Sequence, residues 1–183
     1  MQEQERKTVR GRDLYEWIQS LVGSVLVVVA IFTFGIRMLG VDGHSMLNTL
    51  QHGDRLMVVN PIFYHDYKYG DIVIAYKESF DAEPIVKRVI ATEGQTLKID
   101  FNTGDVYVDG VLLDEPYIKT PTTDNEGGEI PEVIPEGYVF VMGDNRGNSL
   151  DSRSEQIGLI DKRNIIGKAQ YIVFPFDRIG GIG

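Results

Sequence analysis

The hydrophobic residues of the chain are concentrated in one uninterrupted stretch near the N-terminus. Residues 17–36 are 20 positions without a formal charge, bounded by Glu16 and Arg37. As a helix they would be about 30 Å long, which matches the hydrocarbon core of a bilayer. A cleaved signal peptide would have a shorter apolar region before a small-residue cleavage site, and a buried core helix would show a polar face. The pattern therefore predicts a transmembrane helix over residues 17–36.

Basic residues flank this predicted helix unevenly. Residues 1–16 contain four lysines and arginines, whereas Arg37 is the only basic residue between the helix and Arg55. Lysine and arginine accumulate on the cytoplasmic side of a membrane span. We therefore expect a single-pass protein of the plasma membrane, with residues 1–16 in the cytoplasm and residues 37–183 forming an extracytoplasmic domain. The lipid bilayer is an expected partner.

After residue 40 the apolar pattern changes to short runs rich in β-branched and aromatic residues, separated by turn signals. The pair Asp109-Gly110 predicts a hairpin turn. Residues 119–137 hold three of the seven prolines and predict an exposed loop, and residues 149–155 and 161–166 can each hold a short helical turn. The expected fold class is mainly β, with antiparallel sheets. The predicted strands are 55–60, 71–76, 85–91, 96–100, 105–108, 138–142 and 169–174.

Charge and composition narrow the classes of function. The formal net charge is −9, and residues 38–183 carry 13 basic against 23 acidic residues. Such an acidic domain argues against nucleic-acid binding through a basic face. The absence of cysteine excludes disulfides, thiolate metal sites and cysteine nucleophiles. The three histidines, His44, His52 and His65, lack the spacing of metal ligands, so no cofactor is implied.

Three segments combine a polar residue with an apolar frame. In residues 43–50, Gly43 precedes Ser45 and would let backbone amides approach a developing oxyanion, although Gly-x-Ser alone is usually a turn. In residues 85–90, Lys87 has apolar neighbours on the same strand face. It is either an edge-strand charge, which spacing alone favours, or a desolvated amine. Residues 143–153 form a polar run that internal ion pairs alone would also explain.

Taken together and in this order, these segments resemble the bacterial type I signal peptidases, which are membrane-bound serine endopeptidases that remove signal peptides. The run Gly-Asp-Asn-Arg-x-x-Ser-x-Asp-Ser-Arg, residues 143–153, is matched at every fixed position. The resemblance implies a barrel-like fold, in the compact form of Gram-positive-type enzymes because the interval between Lys87 and Gly143 is short. The resemblance also covers residues 69–73, 106–110, 115–117, 167 and 174–180.

The resemblance also implies roles for individual residues. Ser45 corresponds to the acylating nucleophile and Lys87 to its general base, which must be neutral and therefore needs a lowered pKa. The Ser45 backbone N–H would stabilise the oxyanion, and Gly43 replaces a hydroxyl that some members use as a second donor. The residues implied to support this geometry are Ser149, which would orient the lysine amine, and the pairs Asp144–Arg88 and Asp151–Arg153.

The implied substrates are exported preproteins whose signal peptides end in Ala-x-Ala and bind as an added strand. Met46 and the strand 81–86, including Ile85 and Val86, are the expected walls of the substrate pockets. Tethering to the membrane would raise the effective concentration of substrates whose apolar segment lies in the same bilayer.

Two departures from the family pattern leave alternatives open. Asn48 stands where the family has proline, and it is expected to loosen the turn or alter cleavage preference; residues 91–95 also differ. One alternative is a self-cleaving regulator of the repressor class, against which the membrane helix argues. The other is a non-catalytic or dedicated-substrate relative in pilus or secretion assembly, favoured only by Asn48.

Overall fold

The computed structural model describes residues 2–64, 66–77 and 84–182, with side chains from residue 13 onward. The chain divides into two compact units, the first ending at Ile36 and the second beginning at Arg37.

The first unit is a long helix. Helix α1 (Gln2–Ala30) continues as a π-helical turn over Ile31–Gly35. Within it, Asp13–Gly35 spans 23 residues and is the one helix in the described part of the chain that is long and apolar enough to cross a membrane. The prediction of one apolar N-terminal helix is confirmed. The helix begins well before residue 17, because the polar residues that precede the apolar stretch include many good helix formers.

The second unit consists mainly of β-strands joined by turns and short 3-10 helices. The 3-10 helices are Pro61–Phe63, Arg146–Asn148, Lys162–Asn164 and Phe176–Arg178. The strands are β1 (Ile36–Gly40), β2 (Arg55–Val59), β3 (Ile72–Ala75), β4 (Ile85–Thr92), β5 (Leu97–Asp100), β6 (Asp105–Val108), β7 (Val111–Leu112), β8 (Tyr138–Met142), β9 (Ile160–Asp161), β10 (Ile165–Phe174) and β11 (Gly180–Gly181).

Eight of these strands form one curled sheet in the order β1-β2-β10-β3-β4-β8-β9, with β11 paired to β10. The pairs from β2–β10 through β8–β9 are antiparallel. Register shifts interrupt the pairing of β10 with both of its neighbours, and such irregularities bend a strand. All seven predicted strands are present within a few residues of their expected bounds, and the mainly β, antiparallel fold class is confirmed.

A smaller sheet, β5-β6-β7, packs on the larger one through a shared apolar cluster. The turn between β6 and β7 is formed by Asp109 and Gly110, which have φ angles of 52° and 75°. Positive φ at both positions is the requirement of a type I′ turn, so the predicted hairpin is confirmed.

The centre of the large sheet is buried on both faces. In β3, Ile72 and Ile74 belong to one apolar cluster, whereas Val73 and Ala75 belong to another on the opposite face. Strand β4 pairs with β3 on one side and with β8 on the other. The edge-strand interpretation of Lys87 is therefore wrong, because its strand lies in the interior of the sheet.

Two predictions about irregular segments need correction. Residues 119–137 form a loop, but Thr122 and Ile134 within it are fully buried, so the loop is not exposed throughout. Residues 161–166 contain a 3-10 helix as expected, whereas residues 149–155, all of them described, contain turns and no helix. Side chains of that segment are held by buried polar contacts, which leave no regular helical backbone.

Candidate active site

Ser45 lies in a tight turn after β1. The turn starts at Gly43, whose φ of 99° is in the left-handed region that favours glycine. Met46 and Leu50 are buried in the apolar core, and the Leu50 N–H donates to the Met46 carbonyl at 2.8 Å. These two apolar side chains thus anchor the turn in the core, while Ser45 remains partly accessible.

Lys87 reaches this turn from the middle of β4. It is paired across the sheet with Val73, and its side chain is only 5% exposed. Its Nζ donates to Ser45 Oγ at 2.7 Å. Burial lowers the pKa of Lys87 to about 8, although the nearby carboxylates of Asp151 and Glu126 act in the opposite direction. A primary amine with such a pKa can accept a proton from a serine hydroxyl near neutral pH.

The next residue of β4, Arg88, joins this strand to the turn that carries Ser45. Arg88 points to the other face of the sheet and forms two hydrogen bonds with the Asp144 carboxylate, at 2.9 and 2.8 Å. The Thr49 hydroxyl, at the end of the turn that carries Ser45, donates a hydrogen bond to the same carboxylate. The Arg88 guanidinium also lies over the ring of Tyr117, 4.0 Å from its centroid. Asp144 therefore connects the elements that carry Ser45 and Lys87.

Asp151 organises the far end of the 143–153 loop. Its carboxylate accepts hydrogen bonds from the Gly143 N–H at 2.9 Å, the Ser149 hydroxyl at 2.8 Å and the Arg153 guanidinium at 2.9 and 2.8 Å. The resemblance implied that Ser149 orients the lysine amine. Here the Ser149 hydroxyl donates to Asp151, and among the hydrogen bonds of the described residues Lys87 Nζ has Ser45 as its partner.

Sequence reasoning missed the steric role of Gly143. A Cβ atom at this position would lie 2.2 Å from Ser149 Oγ and 2.5 Å from the Ser45 carbonyl oxygen, closer than atoms can approach. Only glycine lets the two serine-bearing segments come this near. Its fixed place in the 143–153 run was the available signal.

Glu126 is a second residue that sequence reasoning did not single out. It lies in the 119–137 loop and pairs with Arg153 at 3.1 Å, while its Oε2 is buried without a hydrogen-bond partner. Burial raises the pKa of Glu126 to about 7, and the negative charge of Asp151 adds to the increase. No local pattern marks it, because its neighbours at the site come from the distant 143–153 loop.

Asn48 has left-handed backbone in the turn after Ser45. This residue has a φ of 41°, and its side-chain amide donates to the Ile118 carbonyl at 3.3 Å. Asparagine tolerates left-handed backbone better than most residues, whereas proline is locked near −65°. Proline at position 48 could therefore not adopt the backbone conformation that Asn48 has here.

A cleft of about 640 Å³ opens beside Ser45 and Lys87. The three predicted wall residues Met46, Ile85 and Val86 all line it, whereas residues 81–83 of the predicted wall lie outside the described residues. No group of three or more potential metal ligands occurs in the described part of the chain. The remaining residues that line the cleft are Leu39, Gly40, Val41, Asp42, Gly43, His44, Pro84, Asn148 and Leu150.

Comparison with known proteins places the sequence of this chain in a family. The sequence model of the family described as signal peptidase, peptidase S26, matches residues 14–174. A signal peptidase I of Bacillus licheniformis is 35% identical over 184 residues, covering 96% of this chain and 97% of the relative. A probable signal peptidase I-1 of Synechocystis is 42% identical over 153 residues, covering 78% and 74%.

A crystal structure of a signal peptidase I from Enterococcus faecalis superposes with a TM-score of 0.48 at 26% identity, covering 56% of this chain and 96% of that one. The sequence matches define a serine-type peptidase. More specifically, the chain belongs to the signal peptidase family, peptidase S26, and the prediction of a type I signal peptidase is confirmed. Its reaction is the removal of signal peptides from exported preproteins.

Proposed function

We propose that the protein is a membrane-bound serine endopeptidase in which Ser45 and Lys87 form the catalytic dyad. The observation that carries the proposal is the 2.7 Å hydrogen bond between Lys87 Nζ and Ser45 Oγ, made by an amine that is almost completely buried. A lysine in this position serves as a base because desolvation favours its neutral form.

In the proposed reaction, Ser45 Oγ attacks the carbonyl carbon of the scissile bond and its proton passes to Lys87 Nζ. The carbonyl oxygen becomes an oxyanion that accepts a hydrogen bond from the Ser45 N–H. Lys87 then returns the proton to the leaving amine as the C–N bond breaks, which leaves an acyl group on Ser45. A water molecule gives a proton to Lys87 and attacks the ester. Lys87 passes this proton to Ser45 Oγ as the ester bond breaks, which releases the signal peptide and restores both residues.

The cleft beside the dyad supports an extended substrate with small side chains. Its lining is largely apolar and includes Met46, Ile85, Val86 and Leu150. Residues 39–40 at the end of β1 and residues 85–87 of β4 bring extended backbone to the same cleft, which suits a peptide bound by strand addition. The resemblance to type I signal peptidases implies cleavage after the last alanine of an Ala-x-Ala segment, and this cleft supports that specificity.

The membrane topology is part of the proposal. Residues 17–36 cross the bilayer once, residues 1–16 lie in the cytoplasm, and residues 37–183 lie outside. The unequal distribution of lysine and arginine around the helix supports this orientation. The anchor then holds the peptidase domain beside the membrane in which the apolar segment of the signal peptide also resides.

The test is cleavage of a preprotein by the full chain in detergent or liposomes. Wild type should cleave after the last alanine of Ala-x-Ala, and a chelator should not affect the rate. Ser45→Ala and Lys87→Ala should each lose at least roughly a thousandfold in rate. Lys98→Ala, which removes an exposed lysine from β5, is the matched control and should retain activity. Full activity of either dyad variant would overturn the proposal.

A further inference from the structure

The peptide group between His44 and Ser45 is held from behind by one side chain of the 143–153 loop. Asn145 donates from Nδ2 to the His44 carbonyl oxygen at 3.0 Å. Its backbone N–H donates to the Ser45 carbonyl oxygen at 2.9 Å. One residue thus binds the two successive carbonyls on either side of the Ser45 Cα, from a position 100 residues further along the chain.

The first of these hydrogen bonds matters because of peptide geometry. The His44 C=O and the Ser45 N–H belong to the same planar trans peptide, in which the two groups point in opposite directions. A donor that fixes the carbonyl therefore also fixes the direction of the N–H. A hydrogen bond to the carbonyl also polarises the amide, which makes its N–H a stronger donor.

We propose that Asn145 is a positioning residue that aims the Ser45 N–H at the oxyanion formed during peptide cleavage. This inference rests on the proposed function, in which that N–H is the backbone donor to the oxyanion. Gly43, two residues before Ser45 in the lining of the cleft, has no side chain that could donate to the oxyanion, so the orientation of the Ser45 amide matters more.

Asn145 is itself held rigidly. It is only 5% exposed, and its carbonyl accepts a hydrogen bond from the Asn148 N–H at 2.8 Å. Its neighbours on both sides are buried and ion-paired, Asp144 with Arg88 and Arg146 with Glu115. The ion-paired neighbours Asp144 and Arg146, which hold the backbone on both sides of Asn145, do not line the cleft, as expected for a part of a preorganised site.

The effect of Asn145 should appear in the transition state and not in substrate binding. Loss of a single oxyanion donor costs about 10²- to 10³-fold in kcat, so misorientation of a donor that remains should cost less. We expect Asn145→Ala to lower kcat by about 10- to 100-fold while KM changes by less than about twofold. The backbone hydrogen bond from residue 145 to Ser45 is retained in this variant.

Two matched ligands separate this role from a merely structural one. A peptide aldehyde ending in Ala-x-alaninal adds Ser45 Oγ to its carbonyl carbon, with the hydroxyl proton passing to Lys87, and its oxygen then occupies the oxyanion position. The corresponding peptide alcohol cannot undergo this addition. Because both ligands bind only folded protein, the ratio of their affinities does not depend on the fraction of a variant that is folded.

In Asn145→Ala, the aldehyde affinity should fall by the same factor as kcat/KM, while the alcohol affinity should stay at the wild-type value. Asn145→Asp keeps the side-chain volume but turns a carboxylate oxygen toward the His44 carbonyl. Its aldehyde affinity should fall further than that of Asn145→Ala. Asn102→Ala removes an amide from an exposed turn of the small sheet and should match wild type. The pH dependence of Asn145→Ala and Asn102→Ala should follow that of wild type.

Unchanged kcat in Asn145→Ala, or an equal loss of affinity for aldehyde and alcohol, would overturn the inference. Its failure is distinct from failure of the proposed function. If wild type cleaves, Ser45→Ala does not, and Asn145→Ala keeps full activity, only the role of Asn145 is wrong. If Ser45→Ala still cleaves, the dyad itself is wrong.

Discussion

At the scale of single residues, the central feature is an amine whose chemistry is set by where it is buried. Lys87 lies opposite Val73 in the middle of the sheet, between strands that supply apolar side chains. Desolvation lowers its pKa to about 8, and the hydrogen bond to Ser45 places the neutral amine where a general base is needed. Burial therefore lowers the pKa of Lys87 Nζ, and the hydrogen bond holds the same atom next to Ser45 Oγ.

The rate of cleavage should follow the ionisation of this amine. Because the base must be neutral and the pKa of Lys87 is about 8, kcat/KM should rise with pH and level off above about pH 9. At pH 6 only about one molecule in a hundred has a neutral amine, so the rate should be roughly a hundredfold below the plateau. A pH–rate profile of wild type checks this, and a profile flat between pH 6 and 9 would contradict it.

Asn48 allows a second test at this scale. Proline cannot adopt the φ of 41° found here, so Asn48→Pro should strain the turn that carries Ser45 and lower both kcat and the unfolding temperature. Asn48→Gly keeps the conformation and loses only the hydrogen bond to Ile118, so its effect should be smaller. Activity assays and thermal unfolding compare the two. A proline variant more active than wild type would show that the turn has another conformation during catalysis.

At the scale of secondary-structure elements, the site is the meeting point of one strand, one turn and one loop. Strand β4 presents Lys87 on one face and Arg88 on the other. The Arg88 guanidinium binds Asp144 at the start of the 143–153 loop. The Asp144 carboxylate also accepts a hydrogen bond from the Thr49 hydroxyl, in the turn that carries Ser45. The distance between Lys87 Nζ and Ser45 Oγ is thus set by contacts on the opposite face of the sheet.

Removing one partner of this buried pair should be costly. Asp144→Asn leaves the Arg88 guanidinium buried without its counter-charge, which typically costs about 3–5 kcal/mol. For a chain of this size that corresponds to a fall of roughly 6–20 °C in unfolding temperature. Asp161→Asn removes a pair with an exposed arginine that solvent screens, and it should lower the unfolding temperature far less. Thermal unfolding of both variants measures the difference, and equal losses would contradict the account.

The strands were predictable because they are short runs rich in β-branched and aromatic residues between turn signals, as in β3, β4 and β8. The interior location of β4 was not, since strand order depends on pairing between segments far apart in the sequence. For the same reason spacing alone favoured an edge position for Lys87. The contacts of Asn145 and Gly143 with Ser45 were equally invisible, because they involve backbone atoms about 100 residues away.

At the scale of the whole molecule, an acidic β domain follows an apolar N-terminal helix that is long enough to cross a membrane. The account places the cytoplasm on the side of residues 1–16, and the unequal distribution of basic residues is its physical reason. The family acts on exported preproteins, and the proposed orientation puts the peptidase domain on the side of the membrane where signal peptides are released from mature chains.

The absence of cysteine makes the topology directly measurable. Single cysteines introduced by Gln4→Cys and Asn102→Cys lie in the two segments expected on opposite sides of the membrane. In intact cells a membrane-impermeant maleimide should label Asn102→Cys and leave Gln4→Cys unlabelled until the membrane is permeabilised. Labelling of Gln4→Cys alone in intact cells would reverse the orientation.

The most direct test of the central claim is to trap the acyl-enzyme. Wild-type protein is mixed with an activated ester of an Ala-x-Ala peptide and quenched in acid, and the acylated residue is identified by peptide mass spectrometry. The account predicts an acyl group on Ser45 in wild type and none above background in Lys87→Ala at the same time point. Acylation of another residue, or equal acylation of Ser45 without Lys87, would contradict the Ser45–Lys87 dyad.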